Sequence, residues 1–555
     1  MPQPLDATAV RRWCQTALDL LGRAREDIDA SNVYPVADAD TGTNLYLTME
    51  SAAQAVTAAA AGCPTLAEAA RAMAHGALIG ARGNSGTILA QLLRGLAAEL
   101  ARHPEPAPAG ALAAALGAAA RAAYEGVAHP VEGTMLTVAR AAAGAARTVP
   151  AAAGAARAVS AAAAAAREAL ARTPAQLSVL AEAGVVDAGG AGLVAVLDAL
   201  DAALSGRRPD PAAHRGLARP ASLTAAAASP SAAGHGHARD GDPPGQHPPC
   251  DGHGHPYEVI YLLDAPDEAI PALRTRLDAL GDSLVVAGGD GLWHVHLHTA
   301  EAGPAVEAAL DAGRPHRIRI VSLAGAAGAS PAAAPRAGRA VVAVLPGDGL
   351  AALCREAGAT TLTARPGEPP GSGELAAALS HTGAGEVILL PNDDGLWHAA
   401  SAAAEQARAQ GIRVSVIPTR SPVQGIAALA VHAPERRFDE DVVAMTSAAG
   451  ATRFGEVTTA EGEAWTSAGI CQAGDVLGLI DGDVAVIGQE PGDVAADVLG
   501  RMLSAGGELV TLVLGERASG QLADRLREQV RRRHLGVETV VCEGRQSSHL
   551  LIGVE

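Results

Sequence analysis

The sequence contains no lysine, so all 42 residues in the lysine-plus-arginine count are arginine. A Walker A loop, a protein-kinase active site and a pyridoxal Schiff base each need a lysine, so these kinds of site are excluded. If the chain binds a nucleotide, its phosphates are therefore neutralised by metal ions, backbone amides and arginine. A GC-rich genome would explain the missing lysine, but the chemical exclusion holds in either case.

Aromatic residues make up only 2% of the chain, and the formal net charge is −18. Few stacking platforms and a strong negative charge argue against nucleic-acid binding. The six cysteines form no CxxC pair, which is typical of a reduced, cytoplasmic protein. The amino terminus is not an apolar signal segment, and arginines interrupt the alanine-rich stretches near 110–125 and 141–171. We therefore expect no stable membrane insertion.

The hydrophobic pattern divides the 555 residues into several domains. Residues 1–205 have apolar residues at helical spacing and predict an all-α domain. Polar and glycine-rich loops interrupt it at 32–44, 80–86, 128–134 and 184–192. Residues 206–256 are rich in proline, glycine, alanine and histidine and predict a disordered linker, although the histidines could instead bind a metal.

Two further domains are predicted after the linker. Residues 257–323 alternate as β-α-β-β-α-β, the ferredoxin-like α+β pattern. Residues 339–555 alternate β-branched strands, such as 340–345 and 386–390, with helical segments. This alternation predicts an α/β domain with a parallel sheet. The expected fold is thus multidomain, with one α-helical, one α+β and one α/β domain.

The most informative motif is NVYPVADADTGTN at residues 32–44. Asp38 and Asp40 lie two residues apart, directly before a glycine turn flanked by hydroxyl groups. Mg²⁺ prefers carboxylate oxygens, and such a turn offers N–H and O–H donors to phosphate. Taken alone, these residues are also typical of a helix N-cap. The three segments that accompany them favour a site for a metal–nucleotide complex.

The first of these segments is GARGNSG at residues 80–86, which opens a predicted helix. Its small residues let backbone N–H groups approach a phosphate at the helix amino terminus, although a glycine-rich turn can also serve tight helix packing. The other two segments are PVEGTML at 130–136 and VVDAGGAGL at 185–193.

Together the four segments resemble the ATP-binding DhaL domain of the dihydroxyacetone kinase group. The resemblance is strongest to the ATP-binding (A) component of bacterial fatty acid kinases. It extends over nearly the whole chain apart from the linker, through LGDSLVVAG, HVHLHT, EVILLPN, VIPTRSPVQGIAAL and LLIGVE. The resemblance implies an α-helical barrel that holds Mg-ATP at its open end, and a DegV-like carboxy-terminal domain.

The resemblance also implies roles for individual residues. Asp38 and Asp40 would ligate Mg²⁺, and Thr43 would act with them at the phosphates. Asn32 is a candidate third ligand, because Val33 stands where dihydroxyacetone kinases have a third aspartate. Ala39 replaces the family's glycine, so no positive φ is expected there. The expected nucleotide contacts are Thr41, Asn44, Gly83, Asn84, Ser85, Gly86, Thr134 and Asp187.

His294, His296 and His298 alternate along a predicted strand, so their side chains face one side of the sheet. Such a face can bind Zn²⁺ through imidazole nitrogens, and a solvated histidine face is an equally good interpretation. The resemblance implies a zinc site at His296 and His298, completed by a cysteine on the first strand. This chain has Glu258 at about that place.

The implied reaction moves the γ-phosphoryl group of ATP to the carboxylate of a fatty acid, which a separate DegV-like protein presents. The product is an acyl phosphate for phospholipid synthesis. A carboxylate is ionised at neutral pH, so no general base is needed. The alternatives are a dihydroxyacetone (glycerone) kinase-like phosphotransferase and a non-catalytic nucleotide-sensing regulator. We also expect a homodimer.

Overall fold

A computed structural model gives the fold of the chain. It describes residues 4–35, 39–60, 62–103, 105, 107–108, 110–207, 256–322, 338–365, 368–518 and 520–555. The chain divides into two compact units, residues 1–331 and 332–555. Asp38 and residues 208–255, most of the predicted linker, lie outside the described residues.

The first unit begins with a ring of helices. They are α1 (Ala7–Ala30), α2 (Thr41–Ala60), α3 (Leu66–Gly80), α4 (Gly83–Leu100), α5 (Ala111–Gly126), α6 (Met135–Thr148), α7 (Ala155–Ala171), α8 (Ser178–Ala183) and α9 (Ala188–Ser205). From α1 to α7 each helix packs on the next, and α9 packs on both α7 and α1. The ring therefore closes, which confirms the predicted helical barrel.

Small residues let the barrel helices approach closely. A Cβ at Gly95 of α4 would lie 2.7 Å from the Cβ of Ala122 on α5, so glycine sets this helix spacing. The barrel interior is apolar and includes Leu21, Met49 and Leu89, which are fully buried. Among the described residues, α9 is the one helix long and apolar enough to cross a membrane, but 72% of it is buried in the protein. It is the core helix of the barrel.

The first unit continues with a four-stranded antiparallel sheet. Its strands are β1 (Tyr257–Asp264), β2 (Gly281–Gly289), β3 (Leu292–Thr299) and β4 (Arg314–Ser322), with helices α10 (Ile270–Asp278) and α11 (Ala302–Ala312) between them. The strand order is β2-β3-β1-β4, which confirms the ferredoxin-like prediction. Leu273 and Leu277 of α10 and Ala305 of α11 cover one face of the sheet. The other face packs on the barrel through α4.

The second unit begins as a parallel α/β fold. Its elements are β5 (Arg339–Leu345), α12 (Asp348–Glu356), β6 (Thr360–Thr363), α13 (Ser372–His381), β7 (Glu386–Leu390), α14 (Trp397–Ala409), β8 (Arg413–Val416), α15 (Pro422–Ala430) and α16 (Phe438–Ala451). The four strands are parallel in the order β6-β5-β7-β8. This part of the parallel-sheet prediction is confirmed.

The rest of the second unit is a mixed sheet with a small hairpin. Its elements are β9 (Arg453–Thr459), β10 (Ala464–Thr466), β11 (Gly469–Cys471), β12 (Val476–Ile480), β13 (Asp483–Gly488), α17 (Pro491–Leu503), β14 (Leu509–Leu514), α18 (Gly520–Arg533), β15 (Glu538–Glu543) and β16 (Leu550–Val554).

The six-stranded sheet has the order β13-β12-β9-β16-β14-β15, and only β14 and β15 pair in parallel. The prediction of a parallel sheet is therefore wrong for this half of the unit. For the pair β12 and β13 the physical reason is the tight turn between them, where Asp481 has φ 52° and Gly482 has φ 91°. Such a turn reverses the chain within two residues, so the strands pair antiparallel without a crossover helix.

Candidate functional site

The amino ends of α2 and α4 meet at one end of the barrel. The hydroxyl oxygens of Thr41 on α2 and Ser85 on α4 lie 3.4 Å apart. Each helix amino end presents N–H groups with no partner inside the helix, together with the positive end of its dipole. The structure therefore brings the TGTN and GNSG segments together in an arrangement suited to phosphate oxygens.

Two glycines allow the first turn of α4 to pack closely against α2, because they have no side chain. Gly83 has φ 54°, and a Cβ there would lie 2.4 Å from Nδ2 of Asn44. A Cβ at Gly86 would lie 2.3 Å from the Thr48 hydroxyl oxygen. That oxygen accepts a hydrogen bond of 3.3 Å from the backbone N–H of Arg82. Larger residues at either glycine would separate the two helix ends.

Asn84 lies in the first turn of α4. Its Oδ1 atom is buried and has no hydrogen-bond partner in the described part of the chain. A buried amide oxygen without a partner is uncommon and has to be explained by a group that donates to it. Asn84 therefore remains a candidate contact of a bound ligand.

The loop that leads into α2 is strained at Ala39. This residue has φ 55°, so the expectation that it avoids positive φ is wrong. The carbonyl oxygen of Asp40 accepts a 2.8 Å hydrogen bond from Asn44 N–H, so Asp40 stands at the start of the helix. The residue before it has to turn the chain, and an L-residue adopts the left-handed region at a cost of about 1–2 kcal/mol.

Two further candidate ligands flank this loop. Asp38 lies outside the described residues, so its ligand role stays a prediction. Asn32 is buried after the carboxyl end of α1, with 6% of its surface exposed.

Asp29 is a site residue that sequence reasoning missed. Its carboxylate accepts hydrogen bonds from the backbone N–H of Thr43 at 3.0 Å and from the Thr43 hydroxyl at 2.8 Å. Burial raises the pKa of Asp29, and the hydrogen bonds from Thr43 oppose that rise. The hydroxyl hydrogen of Thr43, predicted to serve phosphate, is thus directed at Asp29. A carboxylate in the last turn of α1 is unfavourable, because the carboxyl end of a helix is the negative end of its dipole. This unfavourable position was the feature of the sequence that could have marked Asp29 as a site residue.

The amino ends of α6 and α9 lie beside each other, next to the first pair. Thr134 caps α6, and its hydroxyl donates to the carbonyl of Val131 at 2.7 Å. Asp187 caps α9, and its Oδ2 accepts from Gly190 N–H at 2.6 Å. A Cβ at Gly192 of α9 would lie 2.2 Å from Leu45 of α2, so α9 sits directly against α2. The structure thus groups the four predicted segments, and it uses Thr134 and Asp187 as helix caps.

Asp187 is also electrostatically unusual. Burial raises the pKa of its carboxyl group to about 7, and hydrogen bonds from the backbone of Gly190 and Met135 act in the opposite direction. Through these two contacts the carboxyl group ties the start of α9 to the start of α6.

The three histidines of β3 line the sheet face that packs on the barrel. His294, His296 and His298 are 2%, 1% and 6% exposed, so the solvated-face interpretation is wrong. The reason is the contact of this sheet face with α4, which shields it from water.

Glu258, His296 and His298 form a cluster that fits a metal ion. Their ligand atoms all lie within 4.8 Å of one another. His296 Nε2 lies 3.2 Å from His298 Nε2 and 3.7 Å from Glu258 Oε1. Burial lowers the pKa of His296 well below its usual range, with the neighbouring histidines adding to the effect. The neutral imidazole is the form that ligates metals.

His294 connects this sheet face to the glycine loop. Its Nδ1 lies 3.4 Å from the hydroxyl of Thr87, which donates to the carbonyl of Gly83 at 2.7 Å. Burial lowers the pKa of His294 to about 4, and the charge of Arg82 adds to the shift. The middle sheet therefore contacts the loop at the start of α4.

Comparison with known proteins gives the relatives of the chain. A model of the FakA-like C-terminal domain of fatty acid kinase matches residues 340–555, a model of the FakA-like middle domain matches 254–329, and a DAK2 domain model matches 35–202. Protein YloV of Bacillus subtilis (strain 168) is 31% identical over 537 residues, which covers 94% of this chain and 93% of that protein. Uncharacterized protein SH1689 of Staphylococcus haemolyticus is 28% identical with the same coverage.

A solved structure is also similar in part. The dihydroxyacetone kinase from C. freundii, in complex with AMP-PNP and Mg²⁺, matches with a TM-score of 0.31 and 13% identity. The match covers 39% of this chain and 48% of that one.

Proposed function

The chain belongs to the FakA-like family of fatty acid kinase proteins, and on that premise we propose that it transfers the γ-phosphoryl group of ATP to the carboxylate of a fatty acid. Kinase-type domains are matched over both the helical barrel and the later domains. The acceptor, the bound Mg-ATP and the partner protein are parts of the proposal.

The observation that carries the proposal is the meeting of two helix amino ends, with Thr41 and Ser85 3.4 Å apart. Backbone N–H groups from both ends would hold the phosphates in a chain that has no lysine. Asp38 and Asp40 precede α2 directly and would hold Mg²⁺, which when bound neutralises phosphate charge. The residues then have only to position an acceptor that is already ionised, so no side chain is required as a base.

The first test replaces Asp40 by Asn in the full-length chain. We expect acyl phosphate formation to fall roughly 100-fold or more, as for loss of one preorganised electrostatic group in other enzymes. Asp19→Asn, on the half-exposed face of α1, is the matched control and should keep its turnover. Acyl phosphate can be trapped with hydroxylamine, and dihydroxyacetone should be offered in parallel as the rival acceptor. Normal turnover of Asp40→Asn, or a preference for dihydroxyacetone, would contradict the proposal.

We propose a DegV-like fatty-acid-binding protein as the partner that presents the acceptor. The family comprises one component of a fatty acid kinase, which supports a second, separate component. Free fatty acid should therefore give little acyl phosphate until a fatty-acid-loaded DegV-family protein is added. Equal rates with and without that protein would count against a separate carrier.

We propose that the protein is a cytoplasmic homodimer. Strand β4 is an edge of its sheet, and Ile318, Ile320 and Val321 on it are 42%, 50% and 37% exposed. Exposed apolar side chains on an edge strand favour pairing with a strand of another chain. Light scattering of the full-length protein should give twice the chain mass, and Ile320→Arg should shift it toward the monomer.

We also propose that Glu258, His296 and His298 hold Zn²⁺. The donor set of one carboxylate and two imidazoles fits that ion, and their ligand atoms lie within 4.8 Å of one another. When bound, the ion would supply a positive charge beside the glycine loop.

A further inference from the structure

The first turn of α2 has N–H groups that no carbonyl group of the helix accepts. Helix α2 begins at Thr41, and the N–H of Asn44 donates to the carbonyl of Asp40 as the first bond of the helix. Asp40 is therefore the N-cap residue. The N–H groups of the three residues that follow it, Thr41, Gly42 and Thr43, need acceptors from outside the helix.

An aspartate at the N-cap position commonly accepts one of these N–H groups with its side chain. It turns back to the N–H of the second or third helical residue. A carboxylate held in this way has an oxygen committed to the helix, and a metal ion competes with the helix for that oxygen. The cap of α2 and the proposed Mg²⁺ site therefore make opposing demands on the side chain of Asp40.

Asp29 of α1 makes the hydrogen bonds of a capping side chain. Its Oδ1 accepts the backbone N–H of Thr43 at 3.0 Å, and its Oδ2 accepts the Thr43 hydroxyl at 2.8 Å. Thr43 is the third residue of α2, and its N–H is one of the two donors that an N-cap side chain usually accepts. This donor is thus satisfied without the side chain of Asp40.

The contact between the end of α1 and the start of α2 suits a carboxylate at this place. Asp29 lies in the last turn of α1, where a negative charge is unfavourable, but it also lies at the positive end of the α2 dipole. Gly42 lets it come close, because a Cβ there would lie 3.0 Å from Oδ1 of Asp29. The carboxylate is therefore explained by its bonds to α2 and not by its place in α1.

We propose that Asp29 caps α2 in place of Asp40 and so leaves the Asp40 carboxylate to the metal ion. The inference rests on the proposed function, in which Asp40 helps to hold Mg²⁺. Both carboxylate oxygens of Asp29 bond to Thr43, so Asp29 acts through the start of α2. It is a positioning residue, and its loss should weaken the part of nucleotide binding that depends on the metal.

The test measures the binding of AMP-PNP to the full-length chain by calorimetry, once with Mg²⁺ and once with EDTA. In Asp29→Ala the Asp40 carboxylate has to cap the helix, so the dissociation constant with Mg²⁺ should rise roughly tenfold or more, the size of effect typical for hydrogen bonds to charged groups. With EDTA it should stay within about twofold of the wild-type value, because the cap acts on the metal ligand. Asp27→Ala is the matched control, since Asp27 is an exposed carboxylate in the same turn of α1.

Two further variants separate positioning from a structural role. Asp29→Asn keeps an amide oxygen that can accept the Thr43 N–H, so it should restore most of the affinity for AMP-PNP with Mg²⁺. The double variant Asp29→Ala/Asp40→Asn should bind no more weakly than Asp40→Asn alone, because the first change acts only through the second residue. Independent structural effects would make the two losses add.

Each outcome of the titrations decides the inference. Unchanged affinity of Asp29→Ala with Mg²⁺, or additive losses in the double variant, overturns it. An equal loss with Mg²⁺ and with EDTA assigns Asp29 to the general packing of the barrel and also overturns it. If circular dichroism shows that Asp29→Ala is unfolded, Asp29→Ser is measured in its place, because its hydroxyl is one bond too short to bridge to Thr43.

The same titrations separate the cap from the reaction, because no acceptor is present in them. A metal-dependent loss in Asp29→Ala that Asp29→Asn restores, in a protein that forms no acyl phosphate, would uphold the capping role and reject the kinase proposal. Acyl phosphate formation by the wild type, with unchanged affinity of Asp29→Ala for AMP-PNP and Mg²⁺, would do the reverse.

Discussion

Ala39 holds the strained position of the motif loop, with φ 55° directly before Asp40. A β-branched residue tolerates positive φ poorly, so Ala39→Val should move the loop and weaken binding of Mg²⁺ and AMP-PNP by roughly 1–3 kcal/mol. Ala39→Gly is the control, because glycine adopts this conformation without strain and should bind at least as tightly as the wild type. Calorimetric titration gives both constants. Tight binding by the valine variant would mean that the left-handed turn is unimportant for the ligand.

Asp187 should make the stability of the protein depend on pH. Burial raises its pKa to about 7, so the folded state holds this proton more tightly than the unfolded chain, whose carboxyl titrates near 4. The stabilisation that protonated Asp187 contributes is complete at pH values below the pKa of the unfolded state. It is lost as the pH rises towards and through the pKa of the folded state. Relative to wild type, Asp187→Asn should therefore gain unfolding free energy between about pH 4 and pH 7 and level off above that range.

Urea unfolding at several pH values measures this difference. Asp19→Asn on the half-exposed face of α1 is the matched control. Parallel stability curves for wild type and Asp187→Asn would show that the carboxyl group keeps an ordinary pKa in the folded state.

For individual residues, the sequence predicted which side chains lie together in the site, but it did not predict the hydrogen-bond partner of each one. Thr41, Ser85 and Asn44 come together as the motifs indicated. The bond from the Thr43 hydroxyl to Asp29 was not foreseen, because it spans 14 residues and depends on how α1 ends beside α2. The positive φ of Ala39 was missed since residue identity alone favours the right-handed region there.

Among the helices, α1 and α2 depend on a close contact at Gly42. A Cβ there would lie 2.4 Å from the carbonyl oxygen of Arg25 and 3.0 Å from Oδ1 of Asp29. Gly42→Ala should therefore separate the helices and lower the unfolding free energy by about 1–3 kcal/mol, because backbone cannot yield as a side chain can. Gly144→Ala in α6 is the control. The added Cβ of this variant would meet no atom within 4 Å. The variant should therefore raise the unfolding free energy by about 0.5–1 kcal/mol, because alanine has a higher helix propensity than glycine.

Denaturant unfolding of both variants measures their unfolding free energies. The comparison separates the effect of close helix packing at Gly42 from the effect of helix propensity at Gly144. A stable Gly42→Ala protein that keeps the wild-type affinity for AMP-PNP would show that the α1–α2 contact does not set the geometry of the phosphate site.

Elements with a clear pattern were predicted well from the sequence. The β-α-β-β-α-β order expected for residues 257–323 is the order observed from β1 to β4, and the strands expected at 340–345 and 386–390 are β5 and β7. Strand direction in the second half of the carboxy-terminal unit was not predictable in the same way. Periodicity gives the face that is buried, whereas the partner of β14 or β16 is fixed by contacts between distant parts of the chain.

For the molecule as a whole, metal binding should stabilise the joint between barrel and sheet. Zn²⁺ added to metal-free protein should raise the melting temperature, because an ion that binds only the folded state stabilises it by mass action. His296→Ala should abolish the increase. Glu258→Cys should bind Zn²⁺ more tightly, because a thiolate is the better ligand for this ion. If Zn²⁺ does not change the melting temperature of either the wild type or Glu258→Cys, the cluster does not bind this metal.

The docking of the middle sheet onto the barrel could not be deduced from the sequence. Gln91 of α4 accepts a hydrogen bond of 3.0 Å from Gly288 N–H, and the Arg274 guanidinium donates to the carbonyl of Glu125 in the last turn of α5. His129 and Asp278 pair across the same joint at 2.9 Å. These side chains are polar and scattered, so they carry no local pattern. Only the packing of the sheet against the barrel explains why the sheet face with the three histidines is buried.

The closure of the helical ring makes its two ends neighbours. The indole N–H of Trp13 on α1 donates to the carbonyl of Val196 on α9 at 2.9 Å, and Arg12 reaches the carbonyl of Ala203 at 3.3 Å. The start of α1 therefore lies beside the end of α9. A domain whose entry and exit adjoin can be inserted into another chain, or circularly permuted, without moving a single helix. The turn at Gly154, where an added Cβ would meet no atom within 4 Å, offers a place where a permuted ring could be opened.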